Sequence, residues 1–205
     1  MNLNRENFIK TVLFVIALLT ISLCLVKGTY ILLSYFNIII PWWCESPSVL
    51  STMAFIYLLF DNYFWSKKFF KTIKLIEMPD LNGRWKGVIV SSYHEHQRET
   101  PAVLEVYQTS SKIFISMYLE HSESNSLVAG FVKKEDGRIE LHYEYQNVPK
   151  MNAIETMKIH FGTAQFKYYA DTDSLEGSYY SSVRDRESFG SMKFARESRL
   201  LRKKW

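Results

Sequence analysis

Two patterns of hydrophobicity divide the chain. Up to about residue 65 apolar residues run almost without interruption, whereas beyond residue 80 they alternate with polar ones in short segments. Thr11 to Val26 carries no charge. With Phe8 and Ile9 it approaches the ~20 apolar residues that cross a bilayer, which predicts a first span over 8–27. No small-x-small cleavage site follows, and hydrophobicity resumes directly after Lys27-Gly28, which argues against a cleavable signal. The next apolar run, Tyr30 to Ile40, stops at Pro41-Trp42-Trp43. Paired Trp residues favour the headgroup zone, so this run either extends the first helix or lies in the interface. Val49 to Trp65 predicts a second span over 48–65, with Asp61 near its end, snorkelling to the boundary or facing a partner helix. Residues 1–66 are thus expected to form a two-helix transmembrane hairpin.

The basic residues orient this hairpin. Arg5 and Lys10 precede the first span, Lys67, Lys68, Lys71 and Lys74 follow the second, and the intervening loop holds only Lys27. Counting positive residues inside places both termini in the cytoplasm. Residues 67–80 form a linker, helical over 67–77 and broken at Met78-Pro79-Asp80.

From Leu81 onwards the pattern is that of strands. Eight runs rich in β-branched and aromatic residues, approximately 83–92, 102–109, 112–120, 126–134, 138–147, 158–169, 175–183 and 189–197, are separated by turn signals. Ile113, Ile115, Met117 and Leu119 share one face of the third run, and successive side chains point oppositely. Eight sequential antiparallel strands close most economically into an up-and-down barrel, which leaves no exposed edge. The predicted fold is therefore an N-terminal transmembrane hairpin followed, over 81–197, by a minimal, lipocalin-like eight-stranded antiparallel barrel. Residues 198–205 form a basic tail. Large inward candidates (Trp85, Tyr143, Tyr145 and Phe131) predict a largely filled interior.

Connection lengths suggest which end works. The second, fourth and sixth connections are tight, whereas the first and fifth, over 93–101 and 148–157, are long. Long loops on a rigid scaffold usually carry binding groups, so the mouth formed by the odd-numbered connections is expected to face the cytosol, away from the bilayer. Tyr93, His94, His96 and Arg98 come to it from the first connection, and His121, Ser122, Ser124 and Ser126 from the third. Tyr145, Asn147 and His160 flank the fifth; Ser181, Arg184 and Arg186 surround the seventh. Aromatic faces, hydroxyls and cations together suit an anionic ligand with planar rings.

Composition narrows the chemistry. Cys24 and Cys44 are the two cysteines, and both lie in the apolar half. The β unit has neither a disulfide scaffold nor a cysteine zinc site, which suits a reducing compartment. The net charge of +4 is too weak to argue for a DNA or RNA partner. His94 and His96 stand in a loop with Glu95, Gln97 and Glu99 and no evident third ligand, so no metal site is expected. No phosphate loop, nucleophile elbow or HExxH is present, and the mouth carboxylates show no acid–base pairing. The expected protein is a binder without catalysis or cofactor.

In combination the motifs are specific. Pro79-Asp80-Leu81-x-Gly83-x-Trp85-x-Gly87 is followed by Leu141-x-Tyr143-x-Tyr145-x-Asn147-x-Pro149 and His160-x-Gly162-Thr163-Ala164. Leu175-x-Gly177-x-Tyr179-Tyr180, Arg186 and Gly190 close the series. Preceded by a membrane hairpin, this order resembles the two-transmembrane, β-strand-rich effectors of bacterial CBASS anti-phage systems. The resemblance implies a cytoplasmic barrel on the bacterial inner membrane that binds a cyclic dinucleotide made by a partner nucleotidyltransferase. It also implies ligand-induced homo-oligomerisation, and membrane disruption that kills or arrests the infected cell. Combined with the mouth argument it gives candidate ligand contacts at Tyr93, His121, Ser124, Ser126, Tyr145, Asn147, His160, Thr163, Arg184 and Arg186. Two other readings remain open, a membrane-anchored carrier of an apolar ligand such as a lipid, and a scaffold that docks a protein partner.

Overall fold

From Gly83 to Ser198 the chain forms eight antiparallel strands whose first and last members pair, closing a barrel in a computed structural model. The structure describes residues 5–151, 153, 158–183 and 186–201. The chain separates into two compact units, Met1–Glu77 and Met78–Trp205.

In the first unit, α1 (Arg5–Tyr35) is longer than the span predicted over 8–27. Gly28 alone costs a helix only about 1 kcal/mol, and Lys27 finds an ion-pair partner in Glu45 at 2.5 Å, so neither stops it. The tract 30–35 extends the helix, one of the two outcomes expected for it. Then α2 (Glu45–Leu59) runs without a break into one π turn, Phe60–Phe64. Leu18, Ser22, Val26 and Val49 are buried in this unit, and the Phe14 and Phe60 rings meet at 4.7 Å. Among the described residues one helix is long and apolar enough by itself to cross a membrane, over Phe8–Tyr35. With its π turn, α2 continues as one helical stretch over Glu45–Phe64, which at about 1.5 Å per residue approaches the ~30 Å hydrocarbon core. Of the expected pair of spans, the first is matched by the candidate crossing helix α1, and the second remains an expectation. The predicted linker helix is likewise shorter, a single turn α3 (Lys68–Thr72), because Lys74 turns left-handed at φ 53° and ends it.

The barrel strands are β1 (Gly83–Ser91), β2 (Glu99–Gln108), β3 (Ile113–Tyr118), β4 (Ser122–Lys133), β5 (Ile139–Pro149), β6 (His160–Tyr169), β7 (Ser174–Val183) and β8 (Arg186–Ser198). Three of them start three or four residues earlier than the pattern suggested. β2 begins at Glu99, which shortens the first connection to 92–98, and β4 begins at Ser122, which makes the third a tight turn over 119–121. β8 begins at Arg186. The fifth connection stays long, over 150–159. Polar residues with little strand propensity were recruited because neighbouring strands supply ladder partners, such as Glu123 for Tyr118 and Val148.

Inward positions explain the core. Trp85, Leu104, Val106, Ile115, Leu141, Phe166, Leu175, Met192 and Phe194 are buried together, and the partly buried Phe131 packs against them. The interior is filled as expected, with Phe166 stacked on Tyr143 and edge-on to Phe194 at 5.8 Å. The end opposite the mouth is strapped shut by residues 79–82. Gln108 accepts from the Leu81 amide at 2.8 Å and donates to Pro79 O at 3.0 Å, while Trp85 Nε1 donates to Leu81 O at 3.1 Å. Arg196 lies over the Trp85 ring at 4.0 Å, pairs with Asp173 and donates to Asp80 O and Asn82 O. Gly83 makes this entry possible. Its φ of 126° disfavours any side chain, and a Cβ there would lie 2.2 Å from Ser198 O.

Candidate ligand-binding site

Above the apolar core the interior changes character. At the mouth end the inward positions are Ser91 on β1, Ser122, Ser124 and Ser126 on β4, and Tyr145 and Asn147 on β5. The later strands add His160 and Gly162 on β6, Tyr179 and Ser181 on β7, and Ser188 on β8. Register makes these one surface. Ser126 pairs with Tyr145, Tyr145 with Gly162, Gly162 with Ser181 and Ser181 with Ser188. One step nearer the rim, Ser124 pairs with Asn147 and Asn147 with His160. A bulge between Ser126 and Val128 lets β4 present these serines and also Ala129 and Phe131 inwards, although their spacing is not uniformly two.

Half of this surface is already bonded. Tyr179 Oη donates to Ser91 Oγ at 2.7 Å, and Ser188 Oγ lies 3.3 Å from Ser91 Oγ. Ser181 Oγ donates to Ser188 O at 3.3 Å, and Ser126 Oγ accepts from the Ile115 amide at 3.0 Å beside the bulge. The other half is not. Ser122, Ser124 and Asn147 are only 5–6% exposed. Yet among the described residues their side chains make no hydrogen bond, and their polar atoms are not fully enclosed. Polar groups of this kind are satisfied by protein, by water or by a ligand, so an open carboxamide beside two open hydroxyls has hydrogen-bonding capacity that the protein itself does not use. Below them the Tyr143 hydroxyl is fully enclosed and has no partner among the described residues.

Gly162 shapes this space. A Cβ there would come within 2.4 Å of Tyr145 Oη, so only glycine lets the Tyr145 ring lie across β6. Burial pushes the Tyr143 and Tyr145 hydroxyls well above the usual tyrosine range; for Tyr145 the neighbouring Tyr179 adds to this and Ser181 opposes it. Both are neutral donors at physiological pH. The two rows therefore present neutral hydroxyl and amide groups over aromatic rings, which can hold an anionic or amide-edged planar molecule through hydrogen bonds and stacking.

The expected contacts fall into groups. Ser124, Ser126, Tyr145 and Asn147 converge on the interior, and His160 stands half-buried at its rim. Tyr93 is exposed on a short 3-10 turn over Ser92–His94, its amide donating to Ser91 Oγ. His121 is exposed in the turn between β3 and β4, 3.7 Å from Glu120. Thr163 departs from expectation. It lies on the outer face opposite Tyr180, because it is one residue out of phase with the inward Gly162 and Ala164. Arg184 lies outside the described residues, and Arg186 opens β8 paired with Val183. His96 packs on Phe189 at 5.5 Å. The sequence reading missed Ser91, Tyr179 and Ser188. Parity was the available signal, since Ser91 is two residues after the inward Ile89 and Ser188 two before Gly190.

Residues 76–196 match the family model of the Cap15 cyclic dinucleotide receptor domain. The chain is also 30% identical, over 141 residues, to the CD-NTase-associated protein 15 of Yersinia aleksiciae. That alignment covers 69% of this chain and 65% of the relative.

Proposed function

We infer the function of this chain from the family to which it belongs, that of the Cap15 cyclic dinucleotide receptor domain: the barrel binds a cyclic dinucleotide at its hydroxyl-lined mouth. The observation that carries this reading is the open set of Asn147, Ser122 and Ser124 above the enclosed Tyr143 hydroxyl. A cyclic dinucleotide brings two phosphates and two planar bases. Hydroxyl and amide donors suit the former or the polar base edges, and Tyr145 offers a face to the latter. The lower interior is occupied by Trp85, Phe166 and Phe194, which leaves a ligand the mouth.

The whole chain is then a membrane-anchored CBASS effector with a cytoplasmic barrel. Its second messenger comes from a partner nucleotidyltransferase. Binding drives homo-oligomerisation, and the assembled apolar helices disrupt the inner membrane. This requires the ligand to bind the assembled state more tightly than the resting one, since only differential affinity shifts an equilibrium. The apolar-carrier reading asks for an empty apolar interior, and here the apolar part is filled while the open part is hydroxylic. A scaffold leaves the open carboxamide and serines without a role.

The test is calorimetric titration of the full chain in detergent with a panel of cyclic dinucleotides, beside Asn147→Leu and Ser124→Val. A charge-assisted hydrogen bond contributes about 1.5–3 kcal/mol. One panel member should therefore bind, and each substitution should weaken it by roughly 10- to 100-fold. Binding unchanged in both variants would move the site, and no binding by a folded barrel would end the nucleotide reading.

A further inference from the structure

Beyond the barrel, the end of the first unit carries a second uncommitted surface. Residues 62–76 include Lys67, Lys68, Lys71 and Lys74 and no Asp or Glu. All four lysines are exposed, and none is ion-paired among the described residues. The next carboxylate along the chain, Glu77, lies 3.3 Å from Lys10. Large apolar side chains are exposed among the lysines: Tyr63 (68%), Phe69 (65%) and Ile73 (52%).

This surface is held in shape. Trp65 is buried, and Phe70 packs edge-on against Phe60 at 5.0 Å. After α3 the Leu75 amide donates to Phe70 O at 3.0 Å and the Lys74 amide to Lys71 O at 3.0 Å, the double bond of a Schellman stop. Such a stop places one residue in the left-handed region, which glycine occupies most readily; here Lys74 occupies it, at φ 53°. A fixed turn thus collects four like charges, none of them ion-paired among the described residues, and several exposed aromatic or aliphatic tips.

We propose that the segment Tyr63–Lys74 is a docking surface for anionic lipid headgroups, with the lysines on the phosphates and Tyr63, Phe69 and Ile73 in the headgroup zone. Lysines interleaved with exposed aromatics fit an interface that is anionic and amphiphilic at once, whereas an acidic protein surface would satisfy only the charges. The segment also continues from the π turn that ends α2, whose Leu50, Phe55 and Leu58 are exposed. The proposal rests on the membrane-anchored reading and assigns that anchor a preference for lipid charge.

The experiment uses the delipidated full chain in detergent, titrated with phosphatidylglycerol or phosphatidylcholine and read by native mass spectrometry. The wild type should retain phosphatidylglycerol in preference. K67Q/K68Q/K71Q/K74Q should lower that preference by about fivefold for each lysine removed, while the fourfold Lys→Arg variant and Lys112→Gln keep it. An equal preference in the Gln variant, or none in the wild type, overturns the proposal and leaves an acidic protein as the partner to seek. Cell fractionation separates this from the parent reading. A wild-type chain absent from the membrane pellet refutes the anchor itself, whereas a pelleting Gln variant with unchanged lipid preference refutes the inference alone.

Discussion

Replacing Tyr143 by Phe should make the barrel more stable and its ligand binding weaker. Tyr143 is 5% exposed, its ring stacks on Phe166 at 6.0 Å, and its hydroxyl has no partner among the described residues. Phe keeps the ring contacts and removes only the oxygen. An unsatisfied buried hydroxyl costs about 1–3 kcal/mol relative to its hydrated state in the unfolded chain, so a gain of about 1–2 kcal/mol is expected. A unit of roughly 130 residues has an unfolding entropy near 0.27 kcal/mol/K, which turns that gain into about 4–7 °C in Tm. If a ligand recruits the hydroxyl, its loss removes a net hydrogen bond of about 0.5–1.5 kcal/mol and weakens binding by roughly two- to tenfold. Urea unfolding of the barrel unit followed by circular dichroism gives the first number, and calorimetric titration with the cognate dinucleotide gives the second. Destabilisation by more than about 1 kcal/mol would refute the reasoning, because it would mean that the hydroxyl is bonded in the empty protein. A gain in stability with unchanged affinity would remove Tyr143 from the site.

Three further outcomes are expected. Gly162→Val should drive the Tyr145 ring out of its position, since even a Cβ meets Tyr145 Oη at 2.4 Å; overpacking costs about 1–3 kcal/mol, and nucleotide affinity measured on the protein that still folds should fall further than stability does. Arg196→Met should destabilise the barrel by about 2–4 kcal/mol in urea, losing Asp173, two strap carbonyls and the Trp85 face. The pH dependence follows from Asp173. Burial raises its carboxyl, but hydrogen bonds from Arg196 and Tyr168 outweigh this and hold it below the ordinary value of 3.8. The stabilisation is therefore complete above the unfolded pKa and lost as pH falls through the lower folded one. The difference between wild type and Arg196→Met should be constant above about pH 5 and shrink below about pH 4; a difference that grows in acid would contradict the assignment.

Much of this protein was legible before any coordinates. Alternation from Gly83 onwards predicted eight strands, and their sequential antiparallel order predicted closure, because a strand with one apolar face and no neighbour leaves both its ladder and that face exposed to water. The inward Trp85, Tyr143 and Tyr145 followed from the same alternation, and Gly83 and Gly162 stood inside recognisable motifs. That Ser124, Ser126, Tyr145 and Asn147 lie together at the mouth end of the interior was likewise legible from their position at strand ends. Alternation, however, assigns faces only within one strand. The β4 bulge changes the phase without a mark in the sequence, and Thr163 was assigned to the mouth although Gly162 and Ala164 take the inward positions. Ser91 reaches Ser188 and Tyr179 across 97 and 88 residues, a meeting that depends on how the last strand registers on the first. In the apolar half composition predicted helices, but only tertiary contacts decided that α1 passes through Lys27-Gly28 and that Lys74 stops α3. Side-chain type and spacing determined which elements form; the partners that fill their hydrogen bonds, and so the register and the open donors, were decided by the closed barrel.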